Sequence, residues 1–155
     1  MKKLRLLRQE YIRRLIRCTF NSKLVGIYRI ALGTIFAALG FMKLFSENIR
    51  KKWWIHLDEI GLPFEYLNHI LVPSLEIVIG VILLLGFYSR IAAFLVIPIM
   101  TLPIYIHLTI LCPNIYISES FEVFLPSLSV MMALVILTYG GGKWSLDLKF
   151  FPEKF

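Results

Sequence analysis

The stretch from Leu24 to Phe45, LVGIYRIALGTIFAALGFMKLF, decides the fold. It holds only two charged side chains, Arg29 and Lys43. As an α-helix rising ~1.5 Å per residue it is long enough to cross the ~30 Å hydrocarbon core of a bilayer. Within it Arg29, Gly33, Phe36, Gly40 and Lys43 follow one another at steps of four, three, four and three, which places all five on one stripe. Both cations therefore share a face with two glycines. A neighbouring helix can approach closely there and shield the cations from lipid. A charge in hydrocarbon costs about 2.5–3.5 kcal/mol on insertion scales, so such a stripe is expected to face the interior of a bundle.

Three further apolar runs lie downstream, Leu67 to Tyr88, Ile91 to Leu111 and Phe121 to Tyr139. Polar or helix-breaking segments separate them: SENIRKKWW (46–54), FYSR (87–90), CPNIYISES (112–120) and GGGKWSLD (140–147). The second connection is short enough to force spans two and three into an antiparallel hairpin. Overall 58% of the residues are hydrophobic and the mean hydropathy is +0.74, against roughly 45–50% apolar residues in a soluble domain. The expected fold is all-α, an integral membrane bundle of four helices with a basic amphipathic helix at its N-terminus.

Charge distribution sets the orientation. Of 17 Lys and Arg residues, eight fall between Lys2 and Lys23, and Arg90, Lys143, Lys149 and Lys154 share their side of the membrane; the opposite loops carry only Arg50, Lys51 and Lys52. The positive-inside rule then puts both termini in the cytoplasm, in a multi-pass protein of the inner (plasma) membrane. Trp53, Trp54, Tyr116 and Trp144 fall where interfacial anchors belong. Leu4, Leu7, Tyr11 and Leu15 repeat at helical spacing with Arg5, Arg8 and Arg14 set off from them, which suits a helix lying on the inner leaflet. A solvated basic tail that only fixes topology is an equal alternative. The chain divides into a basic segment over 1–23, the four-span domain over 24–148 and a tail over 149–155. No basic stripe with interleaved aromatics points to nucleic acid. Cys18 and Cys112 lie on opposite sides of the membrane, and no cysteine–histidine cluster has metal-ligand spacing, so neither a disulfide nor a metal or haem site is expected.

The other spans also carry polar stripes. His69, Pro73, Glu76, Gly80 and Leu83 align on the second, Met100, Pro103 and His107 on the third, and Glu122, Pro126, Ser129 and Ala133 on the fourth. The first two stripes are expected to face each other. Helical rise places Arg29 nearest the cytoplasm, Glu76 deeper, and Lys43, His107 and Glu122 together toward the outside. An interior salt bridge between Arg29 and Glu76 is one expectation. Snorkelling is the commoner explanation for Lys43 and Glu122, and for His107 a hydrogen bond to a carbonyl near Pro103 is favoured over a metal or haem ligand. Read functionally, Glu76 and His107 are candidates for proton transfer, and Arg29, Lys43 and Glu122 are candidates for contacts to a quinone head group in a polar cavity.

Four stretches taken together resemble the DoxX family of small four-helix membrane proteins: RIALGTIFAALGFMKLF (29–45), LEIVIGVILLLGFYSRIAA (75–93), LPSLSVMMALVILTYG (125–140) and GGGKWSLDL (140–148). The resemblance runs through nearly all of Leu24 to Leu148. It implies a membrane subunit of a quinone-linked redox complex, of the quinol oxidase or thiosulfate:quinone oxidoreductase kind, with quinone as cofactor. Membrane lipid, redox or other membrane proteins, and further copies of the chain are the partners it implies. A non-catalytic scaffold or assembly factor, docking partner membrane proteins through the glycine faces, is the alternative. In the closing motif, glycines permit a sharp exit from the last helix, and Ser145 and Asp147 are placed to cap backbone donors or to pair with Arg90.

Overall fold

The computed structural model describes residues 19–60, 65–106 and 120–150. The basic segment ahead of residue 19 and the end of the tail lie outside these residues. Among the described residues six helices follow in order: α1 (Lys23–Phe45), α2 (Glu47–Ile60), α3 (Glu65–Leu85), α4 (Ser89–Ile106), α5 (Ser120–Tyr139) and the short α6 (Leu146–Phe150). The four long apolar helices are α1, α3, α4 and α5. Of these, Lys23–Phe45 and the Leu67–Leu85 part of α3 are long and apolar enough on their own to cross a membrane. α1 packs chiefly on α3 and α4 on α5, and contacts of α1 with α5 and of α3 with α4 join the two pairs into one bundle.

The glycine stripe is the seam of the α1–α3 pair. A Cβ added at Gly80 would lie 2.5 Å from the Ala37 nitrogen, and one at Gly40 would lie 2.6 Å from the Pro73 carbonyl oxygen. Backbone thus meets backbone along two helical turns, closer than any side chain allows. The two stripes read from the sequence do face each other. Arg29, Gly33, Phe36 and Gly40 on α1 are buried, as are Pro73, Glu76, Gly80 and Leu83 on α3. Between the helix pairs lies an apolar core that includes Leu32, Phe36, Ile79, Leu83, Val96 and Ile136.

The outer surface carries large apolar side chains on all four long helices. Ile27, Phe41, Ile70, Val78, Phe94 and Met131 are all exposed, an arrangement that water does not tolerate over so large an area and lipid does. Hydroxyls on these faces are closed locally: Thr34, Ser74 and Thr101 each donate to the carbonyl four residues back at 2.7–2.9 Å.

Two ends depart from the sequence expectation. α3 stops at Leu85 rather than running to Tyr88, because Gly86 adopts a positive φ of 68° and its N–H closes back on the Ile82 and Leu83 carbonyls at 3.0 Å. The segment expected to be a connecting loop, SENIRKKWW, begins a 14-residue helix, α2. Ser46 ends α1 with its N–H on the Met42 carbonyl at 2.9 Å and starts α2 by accepting the Arg50 N–H at 2.9 Å.

Candidate functional site

At the end of the bundle where α1 meets α2, Lys43 reaches back along its own helix to Glu76 of α3. Lys43 Nζ donates to Glu76 Oε1 at 2.6 Å. The carboxylate is 1% exposed and the lysine side chain 16%. On its other side the ammonium lies 4.3 Å from the centroid of the Trp53 ring on α2, a cation–π contact. Trp54, next along α2, stacks on His69 of α3 with ring centroids 4.9 Å apart and planes within 11°, and Arg50 lies over its ring. Leu57, 2% exposed, anchors the same helix. α2 is therefore an aromatic cover over the Lys43–Glu76 pair.

Two polar atoms here are buried without a hydrogen-bond partner among the described residues, Glu76 Oε2 and Trp53 Nε1. In an apolar bundle each such atom costs about 1–3 kcal/mol until something bonds it. Unsatisfied groups of this kind concentrate at sites of function.

The opposite end carries a second polar cluster, built by Arg29. Its Nε donates to the Gly141 carbonyl at 2.7 Å, Nη1 to the carbonyls of Leu83 and Leu84, and Nη2 to that of Trp144 at 3.3 Å. The guanidinium, 1% exposed, thus closes carbonyls at the C-terminal end of α3 and in the loop after α5. Asp147 does the complementary work at the start of α4. Its carboxylate accepts the Tyr88 and Ser89 N–H groups at 2.8 and 2.9 Å and the Ser89 hydroxyl at 3.0 Å. Ser145 caps α6 by accepting the Leu148 N–H at 3.1 Å. Gly142, with φ 68°, passes so close to the Gly26 nitrogen that no side chain fits. The expectation that Ser145 and Asp147 cap backbone donors holds. Arg90 donates to the Thr138 carbonyl at 3.0 Å.

Arg29 and Glu76 do not form the salt bridge considered from the sequence. The reason is register. Gly33 sits beside Gly80 and Leu84, and Gly40 beside Pro73 and Ile77, so α1 begins beyond the Leu85 end of α3 instead of level with it. Arg29 therefore falls level with the end of α3, where carbonyls await donors. Glu76 falls about one turn short of Lys43, within reach of a lysine side chain. The shared inner boundary assumed for helical depths is what separated Lys43 from Glu76. His107 lies outside the described residues. Glu122 lies on α5, and its side chain is outside them as well. Trp53 is the neighbour of the pair that the sequence reading treated only as an interfacial anchor. Its signal was the spacing of Ile49, Trp53 and Leu57 at steps of four, which marks one face of a helix. Among the described residues no three His, Cys, Asp or Glu side chains converge as a metal site requires.

Comparison with known proteins adds one finding. The DoxX family model matches residues 24–108, more than half of the chain. The chain belongs to the DoxX family. No curated protein and no solved structure gives a match. The DoxX match covers α1 to α4 and so contains the glycine seam, the Lys43–Glu76 pair and Trp53. The closing GGGKWSLDL motif lies beyond it. Family and apolar surface agree that this DoxX chain is a small membrane protein.

Proposed function

We propose that the protein is a four-span subunit of a quinone-linked redox complex in the plasma membrane, with both termini cytoplasmic and its polar site at Lys43 and Glu76. The observation that carries this reading is the Glu76 carboxylate, buried at 1% exposure, with one oxygen on Lys43 and the other unpartnered. A charge at this depth that only fixed helix register would be expected to have both oxygens satisfied. A carboxylate with a spare acceptor in an apolar bundle is suited to bind a polar head group and to take its proton. His107 is the second proposed proton carrier, and Glu122 a further polar contact. Arg29, whose hydrogen bonds go to helix-end carbonyls, is assigned to holding the bundle together. The docking alternative has lost its main support, because the glycine faces that would receive a partner are filled by the chain's own α1–α3 seam.

The test is to purify the protein in lipid nanodiscs, extract and quantify quinone against matched empty discs, and record reduced-minus-oxidised spectra. Stoichiometric quinone in the wild type that falls severalfold in Glu76→Gln, with insertion intact, is the expected result. Discs with no enrichment over empty ones refute the reading.

A further inference from the structure

Trp53 and Leu57 seat α2 on the bundle, and the rest of the helix surface is of another kind. Asn48, Lys51, Lys52 and Ile55 follow at steps of three, one and three, which gathers the four on one side of the helix. All four are exposed. From residue 48 to 55 the chain carries three cations and no acid, and the acids of α2, Glu47, Asp58 and Glu59, stand toward its two ends. Arg50 lies over the Trp54 ring, and Lys43 is held in its pair with Glu76. The other described cations, Lys23, Arg29, Arg90, Lys143 and Lys149, belong to the opposite end of the bundle. Lys51 and Lys52 are therefore the exposed positive charge of this end among the described residues.

The same end leaves large apolar groups uncovered. Ile55 is exposed beside the lysines, and so are Phe41 and Phe45 at the end of α1, whose rings stack with centroids 4.4 Å apart. Water suits the ammonium groups and not these side chains, and an acidic protein surface has the same shortcoming. A phospholipid supplies both, a phosphate at head-group level and an acyl chain below it. We propose that the Asn48, Lys51, Lys52 and Ile55 face of α2 binds an anionic phospholipid. The two ammonium groups take the phosphate oxygens, with the lysine stems lying along apolar surface as snorkelling side chains do, and the acyl chain runs past Ile55. A zwitterionic lipid brings its own cation beside the phosphate, so a face with two lysines and no acid favours head groups of net negative charge. This surface is distinct from the Lys43–Glu76 pair and holds whatever that pair does.

The experiment uses the tryptophans of α2 as a local reporter. Trp144→Phe leaves Trp53 and Trp54, both on α2, as the only indoles in the full chain. That protein is reconstituted in bilayers of phosphatidylcholine and phosphatidylglycerol in which one lipid or the other carries bromine on its acyl chains, and bromine quenches indole fluorescence on contact. At equal mole fraction, brominated phosphatidylglycerol is expected to quench as a lipid bound about fivefold more tightly than brominated phosphatidylcholine, the factor that one lysine near an anionic surface carries. Adding Lys51→Gln and Lys52→Gln together brings the preference toward one. Adding Lys143→Gln and Lys149→Gln, which remove the same charge from the opposite end, leaves it standing. Equal quenching by the two lipids overturns the proposal and points to an acidic protein as the occupant. A preference that survives loss of Lys51 and Lys52, or that falls equally with loss of Lys143 and Lys149, overturns the assignment of the lipid to this face.

Discussion

Replacing Arg29 by methionine removes every donor of the guanidinium while keeping an unbranched apolar side chain in its place. The Leu83 carbonyl keeps a partner, because the Gly86 N–H also reaches it at 3.0 Å. The carbonyls of Leu84, Gly141 and Trp144 lose the donor that Arg29 supplied, and Gly141 is buried. At about 1–3 kcal/mol for each buried carbonyl left unmade, and less for the long bond to Trp144, the expected loss is about 3–5 kcal/mol. For a chain of this length that is a fall in Tm on the order of 10 °C. Arg29→Lys, which keeps the charge on a head that cannot span the same fork of acceptors, is expected to fall between the two. Thermal unfolding in detergent, followed by tryptophan fluorescence, reads the effect. A methionine variant within about 1 kcal/mol of the wild type would refute the assignment of Arg29 as the clasp of that end of the bundle. Quinone bound per folded molecule is expected to stay unchanged, because Glu76 is about two helical turns from Leu83.

Other expectations follow from the seam and the charge pattern. Gly80→Ala puts a methyl group 2.5 Å from the Ala37 nitrogen, so α1 and α3 must separate, at a cost of about 1–3 kcal/mol. Ala38→Leu, on the exposed face of α1, is expected to be nearly neutral in the same thermal assay. An equal effect of the two would dismiss the seam. In a cysteine-free background, a cysteine at Asn48 is expected to react with an impermeant maleimide on intact cells, and one at Lys149 only after permeabilisation. The reverse pattern would invert the topology.

Much of the bundle was legible because lipid imposes a simple rule on sequence. Apolar runs of membrane length marked α1, α3, α4 and α5 to within a few residues at their described ends, and the three-and-four spacing of Gly33, Gly40 and Gly80 marked the face where two backbones meet. α2 was missed because Arg50, Lys51 and Lys52 read as loop. Its Ile49, Trp53 and Leu57 recur at steps of four along one face, and hydropathy averaged along the chain hides that. The site was half legible. Arg29, Lys43 and Glu76 lie on the α1 and α3 stripes read from the sequence, but the partner of Glu76 depends on the axial offset of α1 against α3. That offset comes from where Gly40 nests on Pro73 and Gly33 on Leu84, a three-dimensional fit that no spacing within one helix encodes. The role of Arg29 was hidden for the same reason: its acceptors are main-chain carbonyls, and every residue type carries one of those.

The clasp that Arg29 forms also has a history in time. The Nε of Arg29 bonds a carbonyl 112 residues further along the chain, so during synthesis the first helix is made long before Gly141 exists. Until the final helix is delivered, the Arg29 cation is without the Gly141 and Trp144 carbonyls that it bonds in the finished bundle. A nascent chain interrupted before the closing glycines therefore carries a cation short of two of its acceptors. Completion of the closing segment supplies both and locks the first helix in the same step.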